Sequence, residues 1–563
     1  MAQTRKRGTR GGAKAKGTKK QKTAKGAKST QPQIPIDEGF DGSVTLKSGT
    51  AGNVRVHIDD DGTSWDASLN LSNVSGNNNK FYMLQLLVDD KSDTYYTHAR
   101  WGRVGETGQI KTVDFSDLED AKKEYEKRFK SKTGLVWEKR TDEPKTNKYT
   151  LVERAYEDDV DDGDDAAASN DDVKQAKSQL DMPTQRLMEL IFNENHFNSV
   201  LEEIGYNADK LPLGKLGKAT LKKGFEELKE LASLIKHPSL AQNKYSRDRD
   251  EVIEEWTNKY YSTIPHAFGR NRPPMIDNDD ILRKEVAMLD TLTDMEVANT
   301  IMRANDKAKD GSSVNLLDSR FKELGMKEFA ALEHKSKEYK QLSEYLINSS
   351  TAGHGLRYRL QDIFRIERPG EHDRFEKSTK TVKDSNRLLL WHGSRTTNFG
   401  GILSQGLRIA PPEAPANGYA FGKGVYLADL SSKSANYCVS SLSGGVGLLL
   451  LVEAELSNPM YEIDSGEFDA DEKAKKHNCI ATKGVGKLGY TKWKDAGLVN
   501  PALKGVKMKL DDIMSPVKYS ILALVITTPN GIRECRELSY FDDSKLLDMK
   551  RQFWGWKLSR AMD

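Results

Sequence analysis

Residues 390–438 read LWHGSRTTNFGGILSQGLRIAPPEAPANGYAFGKGVYLADLSSKSANYC. Glycines recur through this stretch between short apolar runs, and acidic residues are few. Because glycine lacks a Cβ, backbone amides there can approach a flat or phosphorylated ligand closely. Hydroxyl, imidazole and phenol groups add hydrogen bonds and stacking faces. The mixture predicts a nucleotide site, lined by His392, Ser394, Arg408, Tyr426, Ser434 and Tyr437.

Two familiar nucleotide-binding fingerprints are absent from this stretch. A Walker loop needs Gly-Lys followed by Ser or Thr, but Gly422 and Lys423 are followed by Gly424. The Rossmann fingerprint GxGxxG does not occur within residues 390–438. A different kind of nucleotide site is therefore expected.

Four blocks, WHGSR, GLRIAPPEAP, FGKGVY and SKSANYC, resemble the poly(ADP-ribose) polymerase family. Four blocks in the same order over about fifty residues are more specific than any single short motif. The resemblance implies a diphtheria-toxin-like ADP-ribosyltransferase fold. It also implies that NAD is a substrate, cleaved between nicotinamide and ribose through an oxocarbenium-like state.

The resemblance assigns roles to individual residues of the stretch. His392 would hold the adenosine-side ribose, and the backbone of Gly393 would hold the nicotinamide amide. Tyr426 matches the second member of a His-Tyr-Glu triad, and Tyr437 matches the ring that stacks on nicotinamide. Ser434 would bond the carboxamide. The adenosine half would be lined by Ser394, Gly401 and Arg408.

The third triad member is where the sequence departs from the family. The family places a Glu on a late strand reading approximately Tyr-Asn-Glu-Tyr. After Glu472 the glutamates are Glu534 and Glu537, in IRECRELSY, which does not resemble that strand. The resemblance fades beyond residues 505–508 (GVKM). Either the chain is a catalytically impaired variant or its last segment comes from a mistaken gene model.

An apolar run in the C-terminal tail predicts a strand in place of the missing one. Tyr519 to Thr528 read YSILALVITT, and the turn signal Pro529-Asn530-Gly531 follows. The run contains no carboxylate. The strand would thus fill the position without supplying the catalytic acid.

Length and composition bound the remaining possibilities. The chain has 563 residues and a net charge of +3, which predicts several domains with apolar cores. Three widely separated cysteines without a CxxC pair disfavour zinc fingers and disulfides, so no metal is expected; they are Cys438, Cys479 and Cys535. No apolar stretch suits a membrane span or a signal region, so a soluble intracellular protein without membrane partners is expected.

The N-terminal residues are strongly basic. Residues 1–28 contain eleven Lys or Arg and no acid, which predicts a disordered tail that we extend to residue 45. Such a tail is typical of a nuclear localisation signal and of nonspecific binding to the phosphates of nucleic acid. The alternative is a merely solubilising tail.

Within residues 50–156, strand-like runs lie on both sides of a charged helical run at 117–134. Trp101, Gly102 and Arg103 resemble the signature of the WGR domain, which accompanies catalytic domains of this family. Trp beside Arg can stack on a terminal sugar or base while the guanidinium meets phosphate. The alternative is an ordinary Trp of a sheet core. We expect this domain to bind DNA with strand breaks.

Three further regions follow in the sequence. Residues 157–178 form an acidic linker that lacks the pattern of an EF-hand calcium site. Residues 179–310 carry helical apolar stripes, and the segments 211–224 and 264–273 resemble the family's regulatory domain, with His266 structural. By family analogy this bundle covers the NAD cleft until DNA binding loosens it. Residues 316–508 would form the catalytic domain and 509–563 an atypical tail.

The expected fold is multidomain α+β: a small WGR β-sheet domain, an all-α regulatory bundle and a diphtheria-toxin-like ADP-ribosyltransferase catalytic domain with an atypical tail. The expected function is a nuclear NAD-dependent poly-ADP-ribosyltransferase, a glycosyltransferase stimulated by DNA breaks and acting in DNA repair. It would modify acidic or Ser side chains of itself and of chromatin proteins, elongate the chain and release nicotinamide. The alternatives are a DNA-break-binding scaffold and a mono-ADP-ribosyltransferase, because the family's Glu is not found.

Overall fold

The computed structural model describes residues 34–40, 54–152, 177–206, 217–306, 315–350, 359–489, 492–509, 515–526 and 532–542. For the last two segments the description covers the backbone alone. Several sequence expectations fall outside these residues, namely those for the basic residues 1–28, the linker 157–172, residues 211–216, the turn 529–531 and the end of the tail at 543–563.

An antiparallel sheet with one covering helix forms the N-terminal sheet domain. Its strands are β1 (Val54–Val56), β2 (Asp66–Asn73), β3 (Asn78–Asp89), β4 (Thr94–Arg103), β5 (Gln109–Phe115) and β6 (Thr150–Val152), in the order β5-β4-β3-β2-β6 with β1 on β3. The charged helical run expected at 117–134 appears as helix α1 (Leu118–Thr133), which starts at the Asp117 cap and ends at Gly134. It covers one face of the sheet with a stripe of buried residues, Ala121, Tyr125, Phe129 and Thr133.

A short segment before the sheet corrects the expectation of disorder up to residue 45. In residues 34–40, Ile34 and Asp37 are buried. The Asp37 carboxylate accepts hydrogen bonds of 2.6 and 2.7 Å from Arg100, and the Phe40 ring packs edge-on against His98. These contacts offset the entropy of ordering the segment, which the basic composition around it concealed.

The helical domain packs its apolar stripes into one bundle. Its helices are α2 (Met182–Ile191), α3 (Glu194–Glu203), α4 (Lys218–Lys236), α5 (Arg249–Thr263), α6 (Asp279–Asp306) and α7 (Leu316–Glu323). Asp181 caps α2, with Pro183 in its first turn, as the sequence indicates. One apolar cluster runs from this bundle into the C-terminal domain, where Phe399 and Leu450 continue it. Bundle and C-terminal domain therefore share a core.

Two sheets form the C-terminal domain, built from strands β7 (Glu328–Ala331), β8 (Arg359–Glu367), β9 (Arg387–Ser394), β10 (Val425–Leu427), β11 (Val446–Glu455), β12 (Tyr461–Ile463), β13 (Ala481–Gly489), β14 (Trp493–Asp495), β15 (Lys507–Lys509), β16 (Ser515–Ile526) and β17 (Ile532–Asp542). The larger sheet has the order β14-β15-β9-β11-β17-β8-β7, and the smaller has the order β10-β16-β13-β12. The helices are α8 (Lys337–Asn348), α9 (Glu371–Thr379), α10 (Phe399–Gln405), α11 (Ser431–Ala435) and α12 (Ala470–Lys476).

The expected multidomain α+β fold is confirmed by this arrangement. Near the start of residues 316–508, the region expected to form the catalytic domain, the chain forms α8 and β8. The strand expected at 519–528 appears as β16. Among the described helices, none combines the length and the apolar character that crossing a bilayer requires.

Candidate active site

His392 and Tyr426 meet where the two sheets of the C-terminal domain adjoin. The Nδ1 atom of His392, on β9, lies 2.9 Å from the backbone oxygen of Tyr426, on β10. A carbonyl can only accept, so Nδ1 carries the proton and a neutral ring leaves Nε2 as an acceptor. Burial lowers the pKa of His392, although the carbonyl contact opposes that shift. The site thus holds a neutral, oriented imidazole near pH 7.

The Tyr426 phenol is held by the glycine-rich turn before it. Its hydroxyl donates 2.8 Å to the Gly422 oxygen and accepts 3.1 Å from the Phe421 amide. Burial raises the pKa of Tyr426, so the phenol stays protonated. Gly422 has a φ of 77°, and a Cβ there would lie 2.5 Å from an oxygen of Asp471. The FGKG run therefore serves to shape the turn that orients Tyr426.

Gly393 and Ser434 form a close-packed wall next to the imidazole. A Cβ on Gly393 would lie 2.0 Å from the Ser434 backbone oxygen, so glycine is required there. The Ser434 hydroxyl donates 2.8 Å to the Trp391 oxygen. Tyr437, which follows α11, is 64% exposed and free to offer a ring face to a ligand.

Helix α6 of the helical domain packs against α10 and the residues just before it. Arg408 forms an ion pair with Asp294, and a Cβ on Gly401 would lie 3.0 Å from the Asp294 backbone oxygen. The Tyr419 hydroxyl donates 2.7 Å to Asp290. Of the residues expected to line the adenosine half, Gly401 and Arg408 thus lie against α6. Ser394 lies at the end of β9 and accepts 3.0 Å from the Asn398 amide.

No acidic residue occurs on the strand beside Tyr426. β16 pairs antiparallel with β10, with Tyr426 opposite Val525, and its sequence SPVKYSILALVI contains neither Asp nor Glu. Glu537 lies on β17 in the other sheet, opposite Leu451. Across the sheet, Glu537 pairs with Leu451 and Leu451 pairs with Trp391. His392 belongs to the next set of paired residues, and successive side chains along a strand point to opposite faces. The apolar run thus occupies the place beside Tyr426, as the sequence suggested.

The WGR tripeptide sits at the boundary with the helical domain. Trp101 is partly buried and stacks on Tyr82, with ring centroids 5.8 Å apart. A Cβ on Gly102 would lie 2.8 Å from the Gly108 Cα, so Gly102 lets the β4–β5 hairpin close. Arg103 donates to the backbone oxygens of Asn77, Gly269 and Asn271, at 2.8, 2.5 and 3.2 Å. The guanidinium therefore bridges the two domains.

A cation cluster of Lys80, Lys132 and Lys148 lies near Trp101. The Lys132 ammonium sits 4.6 Å from the Tyr82 ring centroid and 5.9 Å from that of Tyr149. Burial lowers the pKa of Lys132, and the charges of Lys148 and Lys80 lower it further. Like charges held together over aromatic rings make an anion-binding surface.

Sequence reasoning missed this cation cluster and the α6 acids. Lys132 and Lys148 are separated by a loop that contains a short 3-10 helix, so only the folded chain shows them together. Asp290 and Asp294 were detectable, because two acids four residues apart interrupt an otherwise apolar helix face. Within the described ranges no group of His, Cys, Asp and Glu is arranged to hold a metal ion.

Comparison with protein families assigns a model to each of the three units. Residues 65–144 match the WGR domain, residues 178–321 the poly(ADP-ribose) polymerase regulatory domain, and residues 336–523 the poly(ADP-ribose) polymerase catalytic domain. The last match runs past Met508 and into β16.

Individual relatives show the same likeness over most of the chain. Poly [ADP-ribose] polymerase 2 of Homo sapiens is 36% identical over 441 residues, which cover 77% of this chain and 72% of the human protein. Poly [ADP-ribose] polymerase 2-A of Oryza sativa subsp. japonica is 39% identical over 447 residues, which cover 78% of this chain and 64% of the rice protein. The chain thus spans less than two thirds of the length of the rice protein.

Proposed function

The chain belongs to the poly(ADP-ribose) polymerase family, and from that premise we propose that it is a DNA-dependent NAD ADP-ribosyltransferase. The observation that carries the proposal is the close arrangement of His392, Tyr426, Gly393 and Ser434. ADP-ribose would pass from NAD to protein side chains and then to the growing chain, with release of nicotinamide. Transfer of this kind suits a nuclear role in DNA repair, with the chain itself and chromatin proteins as acceptors.

The cleft geometry fits the cleavage of a glycosidic bond to a neutral leaving group. The neutral His392 ring offers Nε2 to a ribose hydroxyl, because Nδ1 is committed to the Tyr426 backbone oxygen. The Gly393 backbone and Ser434 would fix the carboxamide, while Tyr437 stacks on the nicotinamide ring. Holding both ends of the bond orients the ribose for its oxocarbenium-like state. Donors that are fixed in advance lower the barrier because they need not reorganise.

Contacts of α6 support regulation by the helical domain. Asp290 and Asp294 engage Tyr419 and Arg408, the latter a residue proposed to line the adenosine half. NAD would reach this half of the cleft only after α6 moves. DNA would shift the population towards the open arrangement, since a ligand favours the state that it binds more tightly.

A continuous set of contacts connects the proposed DNA surface to α6. The Asn79 amide donates 2.9 Å to the backbone oxygen of His266, and Arg103 contacts Gly269 in the same loop. The buried His266 ring lies 2.8 Å from Glu285, which precedes Asp290 by about one and a half turns of α6. Strain at Trp101 or Lys80 could thus reach the cleft through this loop. The contacts supply a physical route, and variants along it test whether coupling follows it.

The cation cluster supports DNA as the activating partner. Three lysines beside stacked Trp101 and Tyr82 provide phosphate contacts and a platform for a terminal base or sugar. A strand end offers both a phosphate and an unstacked face. A break in DNA therefore fits this surface better than an intact duplex.

The test is a gel assay of the full chain with labelled NAD, with and without a nicked oligonucleotide that bears a 5′ phosphate. We expect labelled ladders that depend on the DNA. A single discrete band would restrict the enzyme to mono-transfer. Absence of label together with tight DNA binding would overturn the proposal.

The composition of β16 favours a second candidate function, that of a scaffold without transferase activity. The strand beside Tyr426 lacks the carboxylate that would activate an acceptor hydroxyl during elongation. A DNA-break-binding scaffold that holds NAD without transferring it would need no such group. Re-reading the genomic DNA after the Met508 codon for a strand encoding Asn-Glu-Tyr separates true loss of the Glu from a mistaken gene model.

A further inference from the structure

Asp429 and Lys509 form an ion pair inside the C-terminal domain. Their side chains are 1% and 4% exposed. The ammonium also lies 5.0 Å from the centroid of the Trp493 ring. Burial raises the pKa of Asp429, and the charge of Lys509 opposes that shift. Burying two charges costs free energy that a well-packed apolar pair would avoid, so the pair is better explained by positioning than by stability.

Asp429 lies between the elements that carry the proposed site residues. Strand β10, which bears Tyr426, ends two residues before Asp429. Helix α11, which bears Ser434, begins two residues after it. Its neighbour Ala428 exchanges backbone hydrogen bonds of 2.7 and 2.9 Å with Trp391, the residue before His392. A shift of Asp429 would therefore disturb both walls of the cleft.

Lys509 connects the same point to the C-terminal segment. It ends β15, where it pairs with Trp493, and β15 itself pairs with β9 through Lys507 and Leu388. Beyond residues 510–514 the chain continues as β16, which lies along β10 with Val525 opposite Tyr426. The segment thus meets the Tyr426 strand twice, once through the ion pair and once through strand pairing.

We propose that Asp429 and Lys509 are positioning residues that make the nicotinamide side of the cleft dependent on the C-terminal segment. Lys509 holds Asp429, and Asp429 fixes the junction between Tyr426 and Ser434. Neither side chain touches substrate. The inference rests on the proposed function, because it assigns nicotinamide to the wall formed by Gly393 and Ser434.

Calorimetric titration of nicotinamide into the full chain, with nicked duplex DNA present, tests the inference. We expect Lys509→Met to weaken nicotinamide binding about tenfold, equivalent to about 1.4 kcal/mol, because the unpaired carboxylate pulls the junction out of place. Lys509→Arg should retain affinity, since it keeps the charge. The double variant Asp429→Asn/Lys509→Met should bind better than Lys509→Met alone, because no uncompensated charge remains.

The matched control is Lys507→Met, which changes an exposed lysine of the same strand and should leave nicotinamide affinity unchanged. Thermal unfolding of each variant separates a loss of fold from a loss of position. A Lys509→Met chain that unfolds at a lower temperature yet binds nicotinamide like the unsubstituted chain would overturn the inference. If the unsubstituted chain itself fails to bind nicotinamide, the proposed function fails, and this inference fails with it.

Discussion

The hydroxyl of Tyr419 donates a 2.7 Å hydrogen bond to the carboxylate of Asp290, across the boundary between the C-terminal and helical domains. Burial raises the pKa of Asp290 to about 7, and the charge of Asp294 adds to that rise, while the Tyr419 bond opposes it. The closed arrangement is therefore most stable when Asp290 is protonated, because burial outweighs the preference of the Tyr419 bond for the ionised carboxylate. This ties closure of the helical domain to pH.

Binding of NAD without DNA should therefore increase with pH. In the open arrangement the pKa of Asp290 returns towards its ordinary 3.8, whereas in the closed one it is about 7. The stability of closure is fully present below the lower value and is lost as pH rises through the higher one. Between pH 6 and 8 closure should weaken about tenfold. Fluorescence titration with an NAD analogue measures this change, and Asp290→Asn should flatten it; an equally steep profile in that variant would contradict the argument.

Local signals in the sequence were sufficient for several elements. Asp181 before Pro183 marks the start of α2, and the spacing of Ala121, Tyr125 and Phe129 matches the buried face of α1. These features depend on neighbours within one or two helical turns, so they can be recognised from the sequence alone. His392 and Tyr426 were found through short motifs that resemble a known family.

Contacts between distant residues were out of reach of the same signals. The pairing of Asp290 with Tyr419 spans more than a hundred residues and depends on how two domains pack. Ordering of residues 34–40 depends on Arg100, a partner about sixty residues later on β4. Secondary-structure propensity reflects a residue and its neighbours in the sequence. Which distant residues come into contact is determined by tertiary packing.

Replacing Lys132 should weaken DNA binding. Lys132 belongs to the cation cluster and its removal deletes one phosphate contact, so Lys132→Gln should lower affinity and reduce the salt slope of binding by about one. Fluorescence anisotropy with a nicked duplex at several salt concentrations gives both quantities. The control Lys123→Gln changes a lysine of the same helix that is 72% exposed and paired with Asp120, and it should have little effect. Equal effects of the two substitutions would remove the case for this surface.

Replacing Arg103 should separate DNA binding from activation. Its guanidinium contacts the Gly269 and Asn271 backbone oxygens, so Arg103→Ala breaks the bridge to the helical domain while Lys132 and Trp101 remain. We expect near-normal affinity for nicked DNA and a loss of most DNA-stimulated labelling with NAD. Anisotropy and the labelling assay on the same preparation measure both. A variant that loses DNA affinity in proportion to activity would show that Arg103 contacts DNA instead.

A methyl group at Gly393 should abolish nicotinamide binding. The new Cβ would lie 2.0 Å from the Ser434 backbone oxygen, so α11 would have to move away from β9. Gly393→Ala should therefore lower nicotinamide affinity beyond detection in calorimetry and cost about 1 to 3 kcal/mol of stability, as overpacking typically does. His392→Ala, which leaves space instead of filling it, should reduce NAD binding with a smaller loss of stability. Unchanged nicotinamide affinity in Gly393→Ala would exclude this wall as the carboxamide site.

Replacing Glu227 should stabilise the helical domain at alkaline pH. Its side chain is buried on α4; one oxygen accepts 2.9 Å from the Thr263 hydroxyl, and the other has no hydrogen-bond partner among the residues that the structure describes. Burial raises the pKa of Glu227 from 4.5 to about 7, although Lys223 and Thr263 oppose the shift. Stability is thus fully present below pH 4.5 and is lost as pH rises through about 7.

Glu227→Gln removes that loss because an amide does not ionise. We expect the variant to be more stable by on the order of 2 to 3 kcal/mol at pH 8, with a much smaller difference at pH 5. Denaturant unfolding followed by far-UV circular dichroism at both pH values measures the effect. The control Glu226→Gln changes an exposed neighbour on the same helix and should be neutral at either pH. A gain in stability that is the same at pH 5 and pH 8 would show that packing, and not ionisation, is responsible.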